Sequence, residues 1–342
     1  MRHILRFLLG VILALACLEV CFRILPVATA THTGYYVAPT ILTYPPHHTF
    51  TVATGWDLRN AHRHKANNFG FLADHEFVFD PQAIGLVGDS FVEANMLSAP
   101  QRLAAQLESK LNGRLVYALG GPGSSILDYA ERIRFASESF GIQDFVIVLE
   151  RGDLKQALCG SGHNHGPCLD ASSLEPRIEL QAAADWKKRL FRESALAQYL
   201  FSQLKISPAA FWAKMPPQST KVTKQTFPSE QDNRIDQAAT AHFFKQLLAI
   251  PRPLRLIFVT DADRMHLSDP IKPSGDPLQF FRETAVAKGY AVIRPDQAFI
   301  QFKHQYGLVL EVGANDAHWN PEAIKIVADL IAVQFKGTSN RP

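Results

Sequence analysis

The chain has 342 residues, 47% of them hydrophobic, which is enough for one large α/β domain or two modest ones. Its 35 basic and 32 acidic residues leave a formal net charge of only +3, and no Lys/Arg block runs beyond Lys187-Lys188-Arg189. That balance speaks against a nucleic-acid partner. The 23 Phe are read first as core filling and only second as the lining of an apolar pocket.

Phe7 to Leu18 is continuously apolar or small, and the segment runs on to Leu25 with Glu19 and Arg23 inside it. Arg2, His3 and Arg6 precede it, and no Lys or Arg follows until after Leu58. This asymmetry predicts a cytoplasmic N-terminus and an exported bulk. Glu19 and Arg23 lie four apart and can pair on a helix, near the outer interface where charge is tolerated. The favoured reading of residues 1–30 is a single-pass inner-membrane anchor with the main domain in the periplasm. A signal peptide cleaved near Val27-Ala28-Thr29-Ala30 is the second, and a buried core helix the third.

Residues 31–80 read as an extended N-terminal region, mixed and weakly periodic. Residues 81–336 read as the main domain, with an insert around 155–253. Within it, Ala83–Gly88 is a short strand, and Leu103, Leu107 and Leu111 recur every four residues across a helix from Arg102 to Leu111. A second strand, Arg114–Leu119, ends at Gly120-Gly121-Pro122-Gly123, and a helix over Ser125–Ser137 leads to a third strand, Phe145–Leu149. Asp185–Leu204 is predicted helical, and Ile206–Pro228 is Pro-, Lys- and Ser-rich loop. A helix over Ile235–Leu248, a strand over Arg255–Thr260, a helix over Phe280–Lys288 and a strand over Tyr290–Ile293 follow. Asn320-Pro321-Glu322 opens a last helix running through Phe335. The alternation predicts an α/β fold, a three-layer αβα sandwich with a mostly parallel sheet. No G-x-G-x-x-G fingerprint and no cofactor signature is present.

Cys159 and Cys168 bracket Gly160-Ser161-Gly162-His163-Asn164-His165-Gly166-Pro167. In an exported domain this predicts a disulfide, closing a loop at the carboxyl edge of the predicted sheet, after the third strand. The same stretch also reads Cys-x3-His-x-His-x2-Cys, a cramped arrangement of zinc-type ligands that keeps a metal-dependent hydrolase open as an alternative.

Two short motifs carry the chemistry. Gly88-Asp89-Ser90 follows the first strand, and Asp316-Ala317-His318 precedes the last helix, at a loop–helix junction. A serine at a strand tip and a histidine with its own carboxylate are the parts of an acyl-transfer triad. Main-chain N–H groups around the serine can hold an oxyanion.

At these motifs the chain resembles the SGNH hydrolase superfamily, the GDSL-like esterases, over roughly residues 67–336. Val87-Gly88-Asp89-Ser90-Phe91 is similar to the nucleophile block, Leu119-Gly120-Gly121-Pro122-Gly123 to the second block, and Asp316-Ala317-His318-Trp319-Asn320 to the last. The resemblance implies a flavodoxin-like domain with Ser90 as nucleophile, His318 as base and Asp316 as its orienter. It implies Ser90 and Gly120 as oxyanion donors. Asn67-Asn68-Phe69-Gly70-Phe71 looks like a segment that precedes the domain in membrane-anchored bacterial members. In one block the chain departs from the family: Glu150-Arg151-Gly152-Asp153 puts Gly152 where members carry an oxyanion-binding Asn. Arg151, Asn95 or the Cys159–Cys168 loop are the candidates to compensate. The short Asp-x-His-Trp form resembles the branch of carbohydrate O-acetyltransferases acting on bacterial exopolysaccharide. The expected function is thus an extracytoplasmic O-acyl esterase or O-acetyltransferase acting on acylated carbohydrate or a small ester. The alternative is a non-catalytic envelope protein that binds glycan. Trp186, Trp212 and Trp319 are candidate sugar contacts, although isolated Trp side chains more often pack.

Overall fold

The computed structural model of the chain describes residues 2–30, 35–56, 58–161, 166–181, 185–206, 230–264, 267, 276–313 and 316–338. Five strands form one sheet: β1 (Ile84–Gly88), β2 (Val116–Gly120), β3 (Asp144–Leu149), β4 (Arg255–Thr260) and β5 (Ala291–Ile293). They lie in the order β5-β4-β3-β1-β2, and every pairing is parallel. Read from the other edge this is 2-1-3-4-5, the flavodoxin-like order, whose ligand crevice lies at the carboxyl ends of β1 and β3.

The strand sequences require cover on both faces. Leu86, Val146, Val148, Ile257 and Val259 pack into one buried layer, while Val87, Phe145, Ile147, Leu149 and Phe258 pack into the other. Strands apolar on both sides bury themselves only between two helical layers. The helices are α1 (Arg2–Ile24), α2 (Ser90–Glu93), α3 (Leu103–Lys110), α4 (Ile126–Phe140), α5 (Trp186–Glu193), α6 (Glu230–Leu248), α7 (Gln279–Ala287), α8 (Asp296–Tyr306) and α9 (Pro321–Thr338). Helices α4, α6 and α7 cover one face through Ile133, Phe243, Phe244 and Phe281. Helices α3, α8 and α9 cover the other through Leu107, Phe299, Ile324, Val327 and Ile331. Each such fully buried Phe, Leu or Ile contributes about 1.5–3 kcal/mol of transfer free energy.

Local signals set the helix ends. Ser125 and Asp128 form a capping box at the start of α4, with the Ser125 N–H donating to Asp128 Oδ2 at 2.7 Å, and Gly141 ends the helix in the left-handed region. Asn320 Oδ1 accepts from the Ala323 N–H at 3.0 Å, with Pro321 as the first helical residue of α9.

Several segments differ from expectation. Residues 35–65 hold two antiparallel hairpins, Tyr35–Ala38 with Ile41–Thr43 and Thr49–Val52 with His62–Lys65, over a small core of Tyr44, Phe50, Ala66 and Leu72. Strands of three or four residues are too short to show a period. The predicted Asp185–Leu204 helix breaks at Ser194, which caps the next turn by accepting from the Ala197 N–H at 3.1 Å. Helix α8 was not anticipated. Helix α6, inside the predicted insert, is a core crossover between β3 and β4, with Phe243 and Phe244 against Phe258 and Phe281. The Pro-rich stretch, from 207 on, lies outside the described residues, as does Trp212.

Helix α1 has no buried side chain and is long and apolar enough to cross a membrane. Its 23 residues span about 35 Å at the helical rise. Cys159 and Cys168 are joined by a disulfide, and Cys168 sits in the strand Pro167–Leu169 paired with Pro176–Ile178. Sulfurs bonded to each other are not thiolate ligands, and His163 and His165 lie outside the described residues. The neighbouring Gly166 packs on Thr40 and on Asp128, at the start of α4.

Candidate active site

The position of Ser90 follows from how β1 ends. Asp89 leaves the strand and caps α2, its Oδ1 accepting from the Phe91 N–H at 2.8 Å. Ser90 therefore opens the helix, half-buried, at the carboxyl edge of the sheet. His318 Nε2 is 2.7 Å from Ser90 Oγ, and His318 Nδ1 is 2.5 Å from Asp316 Oδ1. Asp316 also accepts from the His318 N–H at 3.1 Å. The structure thus brings Ser90, His318 and Asp316 into one hydrogen-bonded chain across 228 residues of sequence.

Asp316 and His318 lie on a short strand, Asp316–Trp319, paired with Glu311–Gly313, and not at a loop–helix junction. Two residues of spacing places both side chains on one face of a strand, which is why Asp-x-His suffices. The strand is held from behind. Arg264 forms a double hydrogen bond with Asp261, reaches Glu311 at 3.2 Å and donates to the Ala317 carbonyl. Trp319 Nε1 donates to Asp261 Oδ1 at 2.7 Å, and the indole, 1% exposed, packs edge-on against Phe91. Trp319 is therefore a packed residue and not a sugar contact. Sequence reading missed Asp261 and Arg264, although charges directly after the apolar run of β4 were a visible signal for a residue at the functional edge.

Helix α2 is clamped by the N-terminal hairpins. The Tyr44 hydroxyl and the Asn95 amide donate to Glu93 Oε1 at 2.9 and 2.7 Å, and His64 Nε2 lies 2.6 Å from the Asn95 carbonyl. Burial lowers the His64 pKa to about 4, so near neutral pH its ring is uncharged, with Nε2–H donating. Gly120 closes the other side. A Cβ there would meet the Glu93 nitrogen at 2.5 Å, its Cα at 3.0 Å and the Asp89 carbonyl at 3.1 Å. All three are backbone atoms, so Gly120→Ala must push α2 off β2. It is expected to cost about 1–3 kcal/mol of stability and on the order of 100-fold in turnover, checked by thermal melting and ester hydrolysis on one preparation.

Burial pushes the Glu93 carboxyl up to about 7, against the opposing effect of the Tyr44 and Asn95 hydrogen bonds. A folded pKa above the unfolded one gives stability that is present below about 4.5 and lost as pH rises through about 7. Asp128, raised to about 6 by burial, acts in the same direction. The melting temperature should therefore fall between pH 5 and pH 8. Glu93→Gln should flatten that fall, recovering on the order of 2 kcal/mol at pH 8. Melting curves across that pH range check it, and an unchanged slope would contradict it.

The third block is built differently from the family pattern. Gly152 has no side chain, and a Cβ on it would lie 2.3 Å from Glu150 Oε1 and 2.7 Å from Gln156 Nε2. The Gln156 amide donates to Glu150 Oε1 at 2.8 Å. The space of a side chain at 152 is thus filled by a carboxyl–amide pair. Glu150 stands three residues past the paired position Val87–Ile147, as Ser90 does on the neighbouring strand. Burial raises its pKa to about 7, and the nearby Asp89 and Asp261 charges add to the rise. Of the other candidates, Arg151 pairs with Asp263 at 3.2 Å and Asn95 with Glu93 and His64, while His163, Asn164 and His165 of the Cys159–Cys168 loop lie outside the described residues.

A cavity of about 550 Å³ opens beside Asp316, lined among others by Trp56, Asn60, Met96, Gln203 and Val312. Trp56 is 79% exposed there. No motif in the sequence marks it.

Neither a family model nor a curated protein matches the chain. Among solved structures it is similar to a member of the lipolytic protein G-D-S-L family from Veillonella parvula, at 11% identity and a TM-score of 0.41, over 74% of this chain and 98% of that one. It is also similar to the C-terminal catalytic domain of peptidoglycan O-acetyltransferase A from Streptococcus pneumoniae, at 11% identity and TM-score 0.36, over 76% and 96% of the two chains. A third is an acetyl xylan esterase from the rumen bacterium Butyrivibrio proteoclasticus, at 10% identity and TM-score 0.36, over 77% of this chain and 65% of that one.

Proposed function

We propose that this protein is a serine O-acyl esterase or O-acetyltransferase of the SGNH type, acting on acylated carbohydrate of the cell envelope. We place it on a single-pass anchor in the inner membrane, with its domain in the periplasm. The observation that carries the chemistry is the chain from Ser90 Oγ through His318 to Asp316, at 2.7 and 2.5 Å. His318 removes the Ser90 proton as Ser90 attacks the ester carbonyl, and Asp316 holds the ring and balances the imidazolium. The Ser90 and Gly120 N–H groups are assigned to the oxyanion. His318 then protonates the leaving alcohol. Water completes hydrolysis of the acyl-serine, and a sugar hydroxyl completes transfer.

The apolar helix α1 and the Cys159–Cys168 bridge support an exported, anchored domain. The absence of an Asn side chain at 152 favours one competing reading, a glycan-binding protein that keeps the fold without turnover. Incubating the full chain in detergent with an aryl acetate, with and without acceptor glycans, separates the outcomes. Free acetate indicates hydrolysis, acetylated glycan indicates transfer, and neither product indicates binding alone.

The cavity beside Asp316 is assigned to the carbohydrate, with the exposed Trp56 ring as its platform. Trp56→Ala is expected to raise KM for an acetylated glycan roughly 5- to 20-fold, the equivalent of one lost aromatic contact. Turnover of a small aryl acetate should be unchanged. Parallel kinetics on the two substrates test this.

A further inference from the structure

Helix α5 stands outside the sandwich, and all its residues are exposed or half-buried. Its sequence, Trp-Lys-Lys-Arg-Leu-Phe-Arg-Glu, sets Trp186 and Leu190 one turn apart, each 65% exposed. Lys188 and Arg192 take the opposite side, Arg189 flanks Trp186, Glu193 closes the apolar stripe at its C-terminal end, and Lys187 lies over the Trp186 ring at 5.6 Å. A free apolar stripe opposite a cationic face is the composition of a helix lying in a bilayer interface.

Its position is fixed by α1. Glu19 of α1 accepts from Ser194 Oγ at 2.8 Å and from the Ala195 and Leu196 N–H groups at 3.0 Å, so it caps the turn directly after α5. Phe22 stacks on Tyr199 at 4.3 Å, and Arg23 donates to the Glu193 carbonyl at 3.3 Å. These contacts hold α5 at the C-terminal end of α1, the level at which an apolar helix of that length leaves the hydrocarbon. A cavity of about 530 Å³ at the same junction is lined by Arg23, Arg63 and Arg192 and by one acid, Glu193, with Arg23 also paired to Glu19 at 2.8 Å.

We propose that α5 and the adjoining Arg23–Arg63–Arg192 cavity form a docking surface for anionic phospholipids on the outer face of the bilayer that α1 crosses. Trp186 and Leu190 enter the interface, Lys187 extends its amine back to the headgroups, and the three arginines face lipid phosphate. The segment that follows α5 continues to Gln203–Lys205, which lines the cavity beside Asp316. The surface thus ties the catalytic cavity to the membrane, within reach of substrates held there. This inference rests on the single-pass reading of α1.

The test uses the full chain with Cys17→Ser and Cys21→Ser, reconstituted in phosphatidylcholine bilayers with or without phosphatidylglycerol. A spin label is placed in turn at Leu190→Cys, Ile12→Cys and Val333→Cys, and its collision with a water-soluble nickel chelate is measured. With phosphatidylglycerol, the label at 190 should be shielded on the order of tenfold relative to 333, and the label at 12 more strongly still. Omitting phosphatidylglycerol, or adding Lys187→Glu with Lys188→Glu, should expose 190 and leave 12 shielded. A label at 190 as accessible as 333 while 12 is shielded overturns the docking surface and leaves the anchor standing. Equal shielding of 190 without phosphatidylglycerol overturns the assignment to anionic lipid. An accessible label at 12 removes the single-pass reading, and the docking surface with it.

Discussion

Ser90→Ala is expected to lower turnover of an aryl acetate by at least about 10⁴-fold, because the attacking oxygen is gone and only the oxyanion N–H groups and substrate binding remain. The change removes one half-buried hydroxyl whose partners are His318 and, at 3.3 Å, Asp89. The fold should survive it, since α2 is held by Tyr44, Asn95 and the backbone of Asp89 and not by the serine. An unchanged melting temperature with lost turnover is therefore the predicted pair of results. His318→Ala should lose a similar factor, and the double variant should lose little more than either alone, because the two residues act as a unit. Steady-state rates on the three variants check the non-additivity. Additive losses would mean that His318 works on something other than Ser90.

Asp316→Asn is expected to cost about 10⁴-fold in turnover while leaving substrate affinity nearly unchanged. Both the His318 backbone N–H and its Nδ1 point at Asp316 Oδ1, so the carboxylate fixes the ring with its donor on Nδ1 and its acceptor toward Ser90. An amide in that place can present its NH₂ to the ring, favour the other tautomer and turn the Nε2 proton toward the serine. The loss should appear in kcat. A rise in KM without a fall in kcat would instead place Asp316 in the substrate cavity that it also lines.

The sheet, and the motifs whose Ser90, His318 and Asp316 the structure joins by hydrogen bonds, were legible in the sequence. Buried parallel strands are apolar on both faces, so β1, β3 and β4 stand out as short continuous runs, and their carboxyl ends locate Gly88, Glu150 and Asp261 at one edge. Ser90 could be placed because it directly follows β1, whereas Asp316 and His318 lie on a separate antiparallel ribbon and were found from their motif alone. What surrounds them was not legible. The clamp of Tyr44 and His64 on α2 comes from hairpins whose strands are too short to show periodicity. Trp56 carries no local signal, since its exposure and the cavity beside it arise only when residues 203–205, 312, 313 and 316 fold against it. Gly152 was visible as a departure. That Glu150 and Gln156 fill the vacated volume depends on side-chain directions that no spacing rule fixes.

Reaction with a fluorophosphonate probe tests the central claim most directly. The probe is added to the wild-type full chain and to His318→Ala, and the labelled peptide is mapped by mass spectrometry. The account predicts rapid, single-site labelling at Ser90 in the wild type and loss of that labelling in the variant, because His318 Nε2 at 2.7 Å is what activates Ser90 Oγ. A wild-type chain that stays unlabelled, or that labels at Ser90 equally fast without His318, would contradict it.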